Sequence, residues 1–139
     1  MSRAVLAGLL VCACSPFRNP DPDGWSRVIG TVNPALSSIQ MVNLPTEARV
    51  NVPFTVTVMT LGSSACTRAD GTDVDTAGLR VTIIPYDRVA PPGTPCTRDL
   101  RAFPHEVQLR FATAGEARIT VVGRQEGRTV THEVRIPVR

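Results

Sequence analysis

Phe54-Thr55-Val56-Thr57-Val58-Met59 sets Phe54, Val56 and Val58 on one side of an extended chain and Thr55, Thr57 and Met59 on the other. Successive strand side chains point to opposite faces, so alternation of period two marks a strand with one buried face. The pattern recurs. Leu79, Val81 and Ile83 alternate with Arg80, Thr82 and Ile84, and Val107, Leu109 and Phe111 with Gln108 and Arg110. Ala117, Ile119 and Val121 alternate with Arg118 and Thr120, while Val130, Val134, Ile136 and Val138 share one phase against Thr129, Thr131, Glu133 and Arg135. Val28-Ile29-Gly30-Thr31-Val32 and Ile39-Gln40-Met41-Val42 read as two shorter strands. No stretch repeats apolar residues at helical spacing over about eleven positions. Seven to eight short strands separated by turn residues predict an all-β, antiparallel sandwich whose inner faces form the core.

Leu44-Pro45 through Val52-Pro53-Phe54-Thr55-Val56 resembles the early strands of bacterial immunoglobulin-like domains, and Phe111-Ala112-Thr113-Ala114-Gly115-Glu116-Ala117-Arg118-Ile119-Thr120-Val121 resembles their late hairpin. The resemblance implies an Ig-like β-sandwich over residues 25–139. The Cys…Trp…Cys core of antibody domains is missing, because the single tryptophan, Trp25, precedes both later cysteines. Such a fold hosts many unrelated functions, so it implies none by itself.

The amino terminus reads differently. Arg3 is followed by an apolar run from Ala4 to Val11 and then by Cys12-Ala13-Cys14. That run suits a signal h-region and falls far short of the ~20 residues that span a bilayer. The stretch resembles a bacterial lipoprotein signal, in which cleavage falls before a cysteine that becomes acylated. Cys14 has the small Ala13 before it and Val11 three positions ahead, whereas bulky Val11 precedes Cys12. The resemblance implies a signal peptide at 1–13 and a lipid on Cys14; two or more acyl chains there would anchor the protein stably. It places the protein in the bacterial envelope, facing the periplasm or cell surface, and Ser15 resembles the arrangement sorted to an outer membrane. A plain secretory signal and a misassigned start are the competing readings. Ser15 to Gly24, rich in proline and turn formers, reads as an extended tether, so 14–24 links the lipid to the domain.

Cleavage would remove Cys12 and acylation would consume Cys14, leaving Cys66 and Cys96 in an oxidising compartment. Their bridge closes a loop of about thirty residues, worth roughly 3–4 kcal/mol by chain entropy. Two free thiols or a zinc site are the alternatives, but zinc needs about four ligands, and His105 and His132 lack metal spacing. The bridge also restricts topology. If Phe54–Leu61 ran up and Leu79–Pro85 down, the cysteines would lie a strand length of roughly 25 Å apart, against the roughly 4.4–6.8 Å a bridge allows. A further strand at Thr72–Thr76, turning through Ala77-Gly78, brings both cysteines to one end. Asp73 and Asp75 suit a charged edge there.

Composition excludes several classes. All 15 Lys+Arg positions are arginine, the formal charge is +3, and carboxylates are interspersed among the arginines. That is a mixed surface and not a nucleic-acid stripe. Aromatic residues are too few for a stacking platform. No metal or cofactor motif is apparent. Asp70-Gly71-Thr72-Asp73-Val74-Asp75 groups three carboxylates, but not at EF-hand spacing, and reads as a solvated turn entering an edge strand. Gly62-Ser63-Ser64 lacks the form of a nucleophile elbow. His105, after Pro104 at a strand start, is expected to be exposed, and His132, inward on the last strand, half-buried and hydrogen-bonded.

Both bridge cysteines open the same tripeptide, Cys66-Thr67-Arg68 and Cys96-Thr97-Arg98. Bridging would gather Arg68, Arg98 and Arg101 at one end, where they could take a carboxylate, a phosphate or an acidic loop of another envelope protein. The plainer expectation is that Arg68 and Arg98 pair with Asp70 and Asp99. The chain is therefore expected to be a non-enzymatic, lipid-anchored binding or structural module. The alternative is an inhibitor or accessory domain presenting Val89-Ala90-Pro91-Pro92-Gly93-Thr94-Pro95 to an envelope enzyme.

Overall fold

The computed structural model describes residues 23–36 and 38–139; Cys12, Cys14, the cleavage site and most of the proposed tether lie outside them. The described chain is all-β. Its strands are β1 (Ser26–Ile29), β2 (Val42–Asn43), β3 (Phe54–Gly62), β4 (Thr67–Ala77), β5 (Arg80–Val89), β6 (Arg101–Leu109), β7 (Gly115–Gln125) and β8 (Arg128–Val138). Among the described residues no helix is long and apolar enough to cross a membrane.

Two sheets form. One holds β4, β5, β1, β7 and β8, and the other runs β2-β3-β6. Val56, Val58, Val107 and Leu109 from the smaller sheet meet Val81, Ile83, Ile119, Val121 and Ile136 from the larger in one buried core. Phe111 and Phe54 lie with ring centroids 5.7 Å apart, Phe111 fully buried and Phe54 packed against the cluster's edge. The alternation predicted for these strands is the pattern of burial observed: β5, for example, buries Val81, Ile83, Pro85 and Asp87 in turn.

Pairing is antiparallel except between β5 and β7, which run parallel through Arg80↔Arg118 to Ile83↔Val121. This corrects the wholly antiparallel expectation. The chain leaves the larger sheet after β5, crosses to the smaller sheet as β6 and returns as β7, so β5 and β7 point the same way. Beyond Ile83 the two strands part and β1 enters between them. It pairs with β5 from Ser26↔Val89 to Ile29↔Tyr86. Its continuation then bonds β7, with Val32 N–H donating to the Arg124 carbonyl at 2.8 Å. Leu61 N–H of β3 donates to the Thr31 carbonyl at 2.8 Å, so this one segment bonds both sheets. Gly30 at its centre has no space for a side chain. A Cβ there would stand 2.3 Å from Thr60 Cγ2 and 3.0 Å from Asp87 Oδ2.

The strand inferred from the cysteines is present as β4, longer than expected and hairpinned to β5 through Gly78-Leu79. Asp70-Gly71 is not a turn but an irregularity within β4, where register shifts between Ala69 and Thr72. At the other hairpin Glu126 (φ 49°) and Gly127 (φ 77°) are both left-handed, the requirement of a two-residue turn matching the twist of β7 and β8.

Candidate functional site

The end of the molecule that carries the bridge is built from the β3–β4 turn, the 90–100 connection and the start of β1. Cys66 and Cys96 are joined, with Cα atoms 5.5 Å apart. Beside the bridge a hydroxyl knot ties the two loops together. Thr97 Oγ1 lies 2.7 Å from Ser63 Oγ and 3.1 Å from Ser64 Oγ, and it accepts from the Ala65 N–H at 3.3 Å. The Thr97 hydroxyl also donates to Asp99 Oδ1, which accepts the Ser64 N–H at 3.1 Å. Hydrogen bonds favour the ionised carboxylate, so the Asp99 carboxyl is held well below the usual carboxylate range, chiefly by Thr97 and then Ser64, although it is partly exposed.

The three predicted arginines are gathered at this end but engaged differently. Arg68 lies over Trp25, its guanidinium carbon 3.7 Å from the ring centre, and within 3.9 Å of Asp23. Arg101 donates to Asp99 Oδ2 at 3.2 Å. Arg98 is exposed and forms no ion pair among the described residues. The expected pairs Arg68–Asp70 and Arg98–Asp99 are therefore not formed. The irregularity in β4 displaces Asp70 from the Arg68 row, and Arg27 takes it at 2.8 Å, with Arg88 at 3.8 Å. Arg101, two residues from Asp99, competes successfully for that carboxylate. The loop after β5 is set by a turn in which Thr94 N–H and Oγ1 both donate to the Pro91 carbonyl, at 3.2 and 2.7 Å. Leu100 is 59% exposed, next to this polar knot.

His105 is not exposed: it is 3% accessible, in contact with Asp87 at 2% and Thr60 at 0%. Strand β6 begins at Arg101, earlier than the apolar alternation, and His105 shares the inward phase of Val107 and Leu109. Its Nε2 lies 3.0 Å from Asp87 Oδ1 and 3.0 Å from Thr60 Oγ1, while the Thr60 hydroxyl donates to the same carboxylate oxygen at 2.9 Å. A hydrolytic triad places its carboxylate on one ring nitrogen and its nucleophile on the other. Here both partners crowd one nitrogen, inside the core, and the trio links the two sheets. The cluster was readable from parity: Asp87 falls in phase with Val81 and Ile83, as His105 does with Val107. His132 is half-buried as expected, but its side chain makes no hydrogen bond among the described residues; it lines an open groove of about 640 Å³ with Leu36, Ile39, Leu44 and Val134.

Compared with known proteins, the chain matches no protein-family model, no curated protein and no solved structure.

Proposed function

We propose that this chain is a non-enzymatic binding or structural module of the bacterial envelope, an Ig-like sandwich held to membrane lipid by an acylated Cys14. The observation that carries the reading is the pairing of Cys66 with Cys96. A disulfide suits an oxidising compartment outside the cytosol, the destination that the lipoprotein-like sequence at 1–14 implies. The arrangement of the bridge end supports a binding role. Disulfide and hydroxyl knot fix the loop bearing Arg98 and Leu100, so a partner engaging it would meet a surface already ordered.

Fractionation of cells producing the native chain and Cys14→Ser tests the anchor. The native chain is expected in the membrane fraction and Cys14→Ser in the soluble exported fraction. Equal partition of the two overturns the anchoring. Crosslinking from position 100, where Leu100 is exposed, tests the binding role: an adduct lost in Arg98→Glu supports it, and no specific adduct in intact cells refutes it.

The second reading, a presented loop over Val89–Pro95, draws on the turn that Thr94 closes on Pro91. It predicts that Thr94→Val weakens inhibition of an envelope protease. The first reading predicts no inhibition at all.

A further inference from the structure

Register on the outer face of the larger sheet sets like charges side by side. Arg80 of β5 pairs with Arg118 of β7, and Arg118 with Arg135 of β8. Side-by-side like charges are destabilising unless something neutralises them. Elsewhere on this face Arg27 and Arg88 meet Asp70 and Arg68 meets Asp23, while Arg124, far along β7, stands opposite Thr129 and not opposite another arginine. Arg135 is held by Glu116 at 3.1 Å and Glu133 at 3.0 Å. Arg80 and Arg118, both exposed, form no ion pair among the described residues.

Two residues along each strand, Thr82 pairs with Thr120. The four side chains surround a depression of about 240 Å³ that Glu133 also borders. The nearby carboxylates are Asp75 opposite Thr82, Glu133 opposite Thr120 and Glu116 two residues before Arg118, and Arg135 already binds both glutamates. The arginine row continues only to Ala77 on one side and Arg135 on the other.

We propose that Arg80, Arg118, Thr82 and Thr120 form a binding site for a compact oxyanion, a phosphate or phosphate ester. Guanidinium groups present paired N–H donors that match phosphate oxygens, and each threonine hydroxyl adds a donor. The anion removes the repulsion between the arginines, which the protein alone leaves uncompensated. The site is independent of the bridge end and of the lipid anchor. The phosphate has two sources, a soluble ester or a phospholipid headgroup.

The test titrates the purified full chain with inorganic phosphate at constant ionic strength, following backbone amide resonances of residues 80, 82, 118 and 120. In parallel, Cys14→Ser, which has no acyl group to mediate adsorption, is sedimented with vesicles of phosphatidylglycerol in phosphatidylcholine. Saturable shifts with a Kd on the order of millimolar, weakened about tenfold in Arg80→Gln/Arg118→Gln, identify a soluble phosphate ligand. Vesicle binding lost in the same double variant, without shifts from free phosphate, identifies the headgroup. Arg80→Lys/Arg118→Lys keeps the charge but loses the paired donors, and intermediate affinity is expected. Binding unchanged in the glutamine variant, or absent with both probes, overturns the site.

Discussion

His105 Nε2 on the smaller sheet lies 3.0 Å from Asp87 Oδ1 on the larger, each side chain almost fully buried. This is a polar tie between the layers within an otherwise apolar interior. Thr60 and the close approach of Gly30 complete its walls. Removing one member of a buried pair strands the other. Asp87→Ala or His105→Ala is expected to cost about 3–5 kcal/mol in urea unfolding. The double replacement Asp87→Ala/His105→Ala should cost less than the sum of the two single changes. Additive losses would mean that the contact contributes no coupling.

The segment between β1 and β2 reaches both sheets because residue 30 has no side chain. Gly30→Ala would drive a methyl group into Thr60 Cγ2, 2.3 Å from the ideal Cβ position. The expected loss is about 1–3 kcal/mol, as for overpacked cores. Gly30→Ala combined with Thr60→Ser should recover part of it. A single variant as stable as the parent would show that this crossing can shift freely.

The bridge should stabilise the fold chiefly by restricting the unfolded chain. Cys66→Ala/Cys96→Ala is expected to lower unfolding free energy by roughly 3 kcal/mol, with faster proteolysis between residues 90 and 100. An unchanged denaturation midpoint would assign the order of that end to the Thr97 knot alone.

Asp99 gives the acid limb of stability a defined sign. Its folded carboxyl is held below the ordinary value of 3.8 by Thr97 and Ser64, so the unfolded chain binds the proton more readily. The contribution is present above about pH 4, near the unfolded value, and is lost as pH falls toward the folded one. Thr97→Val should flatten the dependence of Tm on pH between about 2 and 4. An acid limb as steep as that of the parent would remove Asp99 from the explanation.

Much of the architecture is legible in the sequence because a half-buried strand must alternate. Phe54–Met59 and Ala117–Val121 show this most plainly, and both lie within observed strands. Strand β4 has weak alternation, with Asp73, Val74 and Asp75 all exposed, and is legible only through the reach of a disulfide. The Ile39–Val42 reading shrinks to Val42–Asn43, since an edge strand needs few ladder bonds. His105 and Asp87 are hidden by chemistry and not by position, as their polarity masks an inward phase that parity gives. The Arg80–Arg118 neighbourhood is not legible at all. It depends on parallel register between strands nearly forty residues apart, which no local pattern encodes.

Mass analysis of the chain recovered from its native membrane, alkylated before denaturation, bears most directly on an exported, anchored and singly bridged module. The account predicts a mature chain beginning at an acylated Cys14, with Cys66 and Cys96 linked and unalkylated. An unmodified chain beginning at Met1, with both of these thiols alkylated, would contradict it.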